Sequence, residues 1–324
     1  MTFNICAMFW MSLLIGLVLP LVNIGMKIPQ QTCSVLDNPR CTCQFEGPYY
    51  HSVKCSGIED VNSFQEMSAR LSETAVILEI EMINFEFLPL SCFANSTIQT
   101  LIISNSTFNR IENFTGENGL NLHHFSLQNV KFGEETSWQQ FSSMRQLRIL
   151  FVHNSTIGNK IPATFSDYVS KSLEAVTISE NNITEIETDS FAQLTNLTYL
   201  RISHNKLTTF SRNVLSVPTK LTNLLLDHNK IHTLPAGVFN GMPQLKWVSL
   251  SNNSISSLPQ QVFSSLWKPS MYLDLRGNPI KCDCRLLWAV TSQNKPHDII
   301  GQCTHPKRLF GRDLKNLTVS DFEC

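Results

Sequence analysis

Two clusters of cysteines carry the first chemistry to consider. Cys33, Cys41, Cys43 and Cys55 stand as C-x7-C-x-C-x11-C, and Cys282, Cys284, Cys303 and Cys324 lie near the other end. A Cys-x-Cys pair with distant partners suits either a metal site or a disulfide knot. A structural zinc site would want C-x2-4-C spacing or nearby histidines. Disulfides in an oxidising compartment are therefore the expected chemistry. For the first four cysteines, spacing alone allows three connectivities. Cys92 belongs to neither cluster. It follows Leu-Pro-Leu-Ser beside Phe93, where a buried free thiol is expected, and pairing with another chain is the alternative.

Other reactive groups give less. The nine histidines show no H-E-x-x-H, no metal spacing and no G-x-S-x-G elbow nearby. His123 and His124 are adjacent, so on a strand they point to opposite faces. Neither a nucleophile nor an acid–base pair nor a phosphate loop emerges, and the expectation is no enzyme, no cofactor and no metal. Eight N-x-S/T sequons occur, at Asn95, Asn105, Asn113, Asn154, Asn182, Asn196, Asn252 and Asn316, which predicts N-linked glycans if the chain is secreted. The formal charge is −1, from 25 basic and 26 acidic residues, so no net field points to nucleic acid or an acidic membrane.

Secretion is itself an expectation of the sequence. Residues 1–25 carry the run CAMFWMSLLIGLVLPLV, which reads as the h-region of a signal peptide, with an uncleaved anchor helix as the alternative. Asp60 is a possible N-cap for a short helix in which Phe64, Met67, Ala69 and Leu71 recur at roughly helical spacing.

The elements that must position these groups follow one period. LTNLLLDHNKI at 221–231 has the spacing L-x-x-L-x-L-x-x-N-x-I, and LTYLRISHNKL and LKWVSLSNNSI repeat it 24 residues away on either side. The period extends to nine units opening at Ala75, Ile98, Leu122, Leu147, Leu173, Leu197, Leu221, Leu245 and Ser270, in steps of 23 to 26 residues. Alternation within each L-x-L predicts a short strand with one face buried. Phe93, Phe141, Phe165, Phe191, Phe239 and Phe263 on the returning halves fill the same core from the convex side. The fold class is an α/β-type solenoid, a horseshoe whose concave face is a parallel sheet.

Two properties of the array bear on function. Asn181, Asn205, Asn229, Asn253 and Asn278 occupy the bend of the last five units, where a buried amide satisfies backbone groups. The first four units hold Ile83, Ser106, Val130 and Ser155 there, which predicts a less regular N-terminal half. Outward positions are the third, fifth and seventh of each unit. Phe151, His153, Tyr199, Arg201, Asp227, Trp247, Tyr272 and Arg276 then share the concave face, with the aromatic and arginine content of binding hot spots. Aromatics that only pack on one another along the ladder are the alternative.

The stretch NPIKCDCRLLWAV (278–290), followed by Pro306, Leu309, Gly311, Leu314, Leu317 and Phe322 between the last two cysteines, carries the most specific signal. With the N-terminal cysteines and the repeats, it closely resembles extracellular leucine-rich repeat proteins with cysteine-rich caps. The resemblance implies the pairs Cys33–Cys43, Cys41–Cys55, Cys282–Cys303 and Cys284–Cys324. It implies a signal peptide at 1–25, an N-terminal cap at 33–72, repeats over 73–279 and a C-terminal cap at 280–324. The implied role is a secreted protein without a stable membrane anchor that binds a protein ligand through its concave face, in adhesion, matrix or immune-type recognition. The early units also resemble secreted arthropod-type members, which implies the alternative of a non-catalytic subunit stabilising a secreted enzyme.

Overall fold

Backbone alternation at the opening of each unit builds the whole sheet. The computed structural model describes residues 40–45, 51–71, 76–94, 96–112, 120–133 and 137–324. The N-terminal run at 1–25, Cys33, Ala75, Asn95 and Asn113 lie outside the described residues. Strand β1 (Cys41–Phe45) pairs antiparallel with β2 (His51–Ser56). Parallel strands then follow two residues after each unit opens: β3 (Ile77–Glu81), β5 (Thr100–Ser104), β7 (His124–Gln128), β9 (Ile149–His153), β11 (Ala175–Ser179), β13 (Tyr199–Arg201), β14 (Asn223–Leu225), β15 (Trp247–Ser249) and β16 (Tyr272–Asp274). With β18 (Asp298–Ile300) of the C-terminal cap they form one 12-stranded sheet among the described residues. Inward residues such as Leu78, Leu101, Leu150, Leu200 and Leu273 are fully buried, as the two-residue period of a strand requires.

The returning halves differ along the chain. Early units return as strands: β4 (Asn84–Leu88), β6 (Thr107–Ile111) and β8 (Lys131–Phe132) make a second parallel sheet, and β10 (Lys160–Ile161) pairs with β12 (Glu185–Ile186). Both of these smaller sheets lie within the first five units. Single turns of helix also lie on the returns, such as α2 (Phe165–Tyr168), in the same unit as β10, and α3 (Gln260–Phe263). The six predicted phenylalanines are all buried, and Phe165 meets Phe191 edge-on at 5.2 Å.

Helix α1 (Val61–Leu71) covers the first unit. Asp60 caps it, accepting from the Ser63 N–H at 2.9 Å. Phe64 and Met67 are buried, and the Phe64 ring sits 5.7 Å from Phe85 and 5.8 Å from Phe93. Ala69, expected on this face, is exposed. Ser68 is buried in its place, because it follows Phe64 by four residues and its Oγ donates to the Phe64 carbonyl.

The asparagine ladder forms as a continuous network. Asn205 Oδ1 accepts from the N–H groups of Asn181 and Ile183, while its Nδ2 donates to the carbonyls of Ile178 and Ser203. Asn229, Asn253 and Asn278 repeat the arrangement. The main sheet does not weaken in the N-terminal half, where the bends lack asparagine. Its strands there run five residues, against three from β13 onward. Serine hydroxyls explain part of this: Ser106 Oγ accepts from the Ile83 N–H and donates to Ser104, and Ser155 Oγ does the same for Val130 and His153. One hydroxyl serves the acceptor and one donor function of the amide. It makes no second donation to a carbonyl of the preceding unit, as Asn205 Nδ2 does to Ile178.

Both ends are stapled. Cys41–Cys55 joins β1 to β2, and Cys282–Cys303 and Cys284–Cys324 close the C-terminal cap. Cys43 is also disulfide-bonded, while Cys33, its expected partner, lies outside the described residues. Cys92 is an unbridged, half-buried thiol. At the C-terminal end β17 (Ile280–Lys281) pairs with β19 (Cys303–His305), and α4 (Leu287–Thr291) brings Trp288 within 4.7 Å of Trp267. Each indole N–H is satisfied by a backbone carbonyl, Trp267 by Ala289 and Trp288 by Leu258. Among the described residues no helix is long and apolar enough to cross a membrane.

Candidate partner-binding face

Register places the outward side chains in rows across the sheet. The first row runs Ile77, Thr100, His124, Ile149, Ala175, Tyr199, Asn223, Trp247, Tyr272 and Asp298. The second runs Glu79, Ile102, Ser126, Phe151, Thr177, Arg201, Leu225, Ser249, Asp274 and Ile300. Because neighbouring strands lie ~4.8 Å apart, adjacent members of a row touch and alternate members do not.

Two groups of the expected residues result. Trp247 and Tyr272 are neighbours, with rings edge-to-face at 5.4 Å, and Trp247 remains 38 % exposed. Tyr199 is two strands away, across Asn223. Burial, with the Asp227 charge, raises its phenol pKa, and Arg201 opposes that rise. Arg201 lies on the same strand, its guanidinium 3.8 Å from Asp227. Arg276 folds back so that its fork grips both oxygens of Asp274 at 2.6–3.2 Å, holding the guanidinium flat at the edge of the patch. Phe151 and His153 form a separate pair, their rings 6.1 Å apart. Strand β11, with Ala175, Thr177 and Ser179, separates that pair from the rest. Phe151 is only 9 % exposed, so it offers little surface. His153 Nδ1 lies 3.3 Å from Ser179 Oγ, and its Nε2 is 4.0 Å from Glu180.

One rim of this face is a column that the sequence reading did not single out. The eighth residue of every unit adopts positive φ, at Met82, Asn105, Asn129, Asn154, Glu180, His204, His228, Asn252 and Gly277. Asparagine tolerates the left-handed region better than most residues, which suits the four asparagines there. Gly277 is required for a second reason, since a Cβ there would meet Asn252 Oδ1 at 2.2 Å. Asn154 donates to Asn129 and Asn129 to Asn105 along the column. His204 and His228 stack with centroids 3.9 Å apart and planes 11° from parallel. Their signal was the dipeptide His-Asn recurring 24 residues apart, legible once the column is recognised. Of the sequon residues, Asn105, Asn154 and Asn252 lie exposed on this rim, and Asn182, Asn196 and Asn316 are exposed elsewhere.

The family model for leucine rich repeats matches residues 171–231 and again 219–280. These residues carry leucine-rich repeats, and the fold is a leucine-rich repeat solenoid. The matched span of this repeat protein opens with the fifth unit, where the asparagine ladder begins, and the units with Ile83, Ser106, Val130 and Ser155 at the bend fall before it. Repeats of this kind generally serve as protein-binding scaffolds.

Proposed function

We propose that the repeat protein is secreted, carries N-linked glycans on exposed sequons, and binds another protein through the concave face of its sheet. The observation that carries the reading is the cluster of Trp247 and Tyr272 with Tyr199, Arg201 and Asp227 close by. An exposed indole packed on a tyrosine, beside charges held by neighbours, has the composition of a binding hot spot, and its partners are pre-ordered. Disulfides at both ends of the array support an oxidising, extracellular setting. The rim sequons Asn105, Asn154 and Asn252 would flank a partner seated on the face.

Capture of partners by the full glycosylated chain, followed by affinity measurement with Trp247→Ala, tests this reading. A loss of tenfold or more, about 1.4 kcal/mol, is expected. Affinity within twofold of the unaltered protein would remove the Trp247 patch from the interface. Whether the captured partner is an enzyme decides between a recognition protein and an accessory subunit.

A further inference from the structure

The rim column converges on a group of side chains with a different chemistry from the aromatic patch. His204 and His228 occupy the eighth position of consecutive units, and Asp227 is the seventh residue of the second of those units. One ligand atom from each of the three lies within 4.8 Å of the other two. The Asp227 carboxylate is mostly covered and is held from behind, because Ser203 Oγ donates to its Oδ1 at 2.7 Å. Its Oδ2 is turned to the histidines, 3.9 Å from His204 Nε2. Arg201 stands 3.8 Å from the same oxygen, beyond hydrogen-bond reach.

We infer that His204, Asp227 and His228 form a binding site for a zinc-class divalent metal ion on the rim of the concave face. Two imidazoles and one carboxylate are the donor set of open, three-ligand zinc sites. The hydroxyl behind Asp227 is the outer contact that orients such a ligand. The stacked rings must turn about their side-chain bonds to aim nitrogens at one point. Both histidines are exposed, so that rotation gives up the stack, a contact worth roughly 1 kcal/mol, and the 3.0 Å hydrogen bond between His228 Nε2 and Asn252 Nδ2. Three protein ligands leave a fourth position for water or for a side chain of whatever docks on the face.

Zinc titration of the full chain, free of any histidine tag and stripped with chelator, tests the site by competition with a chromogenic zinc indicator. One equivalent is expected to bind. His204→Asn and His228→Asn are each expected to weaken it at least tenfold, as is Asp227→Asn, while His153→Asn on the same face stays within twofold. Asparagine is the residue this column already holds at Asn105, Asn129, Asn154 and Asn252, so the histidine variants keep the fold, and thermal melting without metal checks that they do. Absence of competition up to millimolar zinc, or affinity unchanged in either histidine variant, overturns the assignment.

Discussion

The neutral imidazole is the form of His124 that the sheet accommodates. It stands in the first outward row between Thr100 and Ile149, and its Nε2 has no hydrogen-bond partner among the described residues. Burial pulls its pKa from 6.5 down to about 4. Above pH 6.5 folded and unfolded chains both hold it neutral. Between pH 6.5 and 4 the unfolded chain takes up a proton that the folded chain refuses, so stability falls across that window by about 2–3 kcal/mol and this loss is complete below it. Urea unfolding at pH 7 and pH 4.5 should show a smaller loss for His124→Phe than for the unaltered protein; equal losses would mean that the folded chain protonates this ring. Cys92 shows the same physics with the opposite sign. Burial pushes its thiol up to about 11, so at pH 8 almost none is thiolate. Its labelling by a disulfide reagent should be at least tenfold slower in the native protein than after unfolding, and comparable rates would contradict the buried thiol.

At the scale of one element, the bend of each unit sets the order of the array. Asn229 Oδ1 accepts from the Leu207 N–H at 3.0 Å, and its Nδ2 donates to Ile202 at 2.8 Å. Asn229→Ala leaves both backbone groups buried without a partner and should cost about 2–4 kcal/mol in urea unfolding. Asn229→Ser should cost less, because Ser106 and Ser155 already serve bends of this kind through one hydroxyl. If the serine and alanine variants were equally destabilised, the hydroxyl would not be standing in for the amide. The longer strands of the early units show that a bend without asparagine does not by itself shorten the sheet. The second sheet on their returning halves has its own reason. Phe85 and Leu88 are buried within β4, and Phe108 and Ile111 within β6, so each of these strands contributes a buried face.

Across the whole molecule, each unit packs on its neighbours, so the ends control fraying. Cys282–Cys303 ties the start of the C-terminal cap to β19, which pairs with β17. Cys282→Ser with Cys303→Ser should lower stability by about 2–5 kcal/mol. Hydrogen exchange should then rise first in β16 and β18, while β5 and β7 keep their protection. A uniform rise would show that the array unfolds as one unit and not from its end.

The two C-terminal cysteine pairs came only through the family resemblance, while the nine repeating units, the buried phenylalanines and the asparagine ladder were legible in the residues themselves. The reason is that inward and outward sides are fixed within a unit by the two-residue alternation of a strand, and the period repeats that assignment. The helix over α1 was legible too, but its buried face was not fully so. Ala69 and Ser68 differ by one position, and only the packed neighbours decide which turns inward. Adjacency across units is a property of register, and there the tertiary structure decided. It buried Phe151 and set it apart behind the small residues of β11. It turned Arg276 onto Asp274. It also drew His204, His228 and Asp227 together, two of them 24 residues apart in sequence, because the bend places the same position of successive units one strand spacing apart.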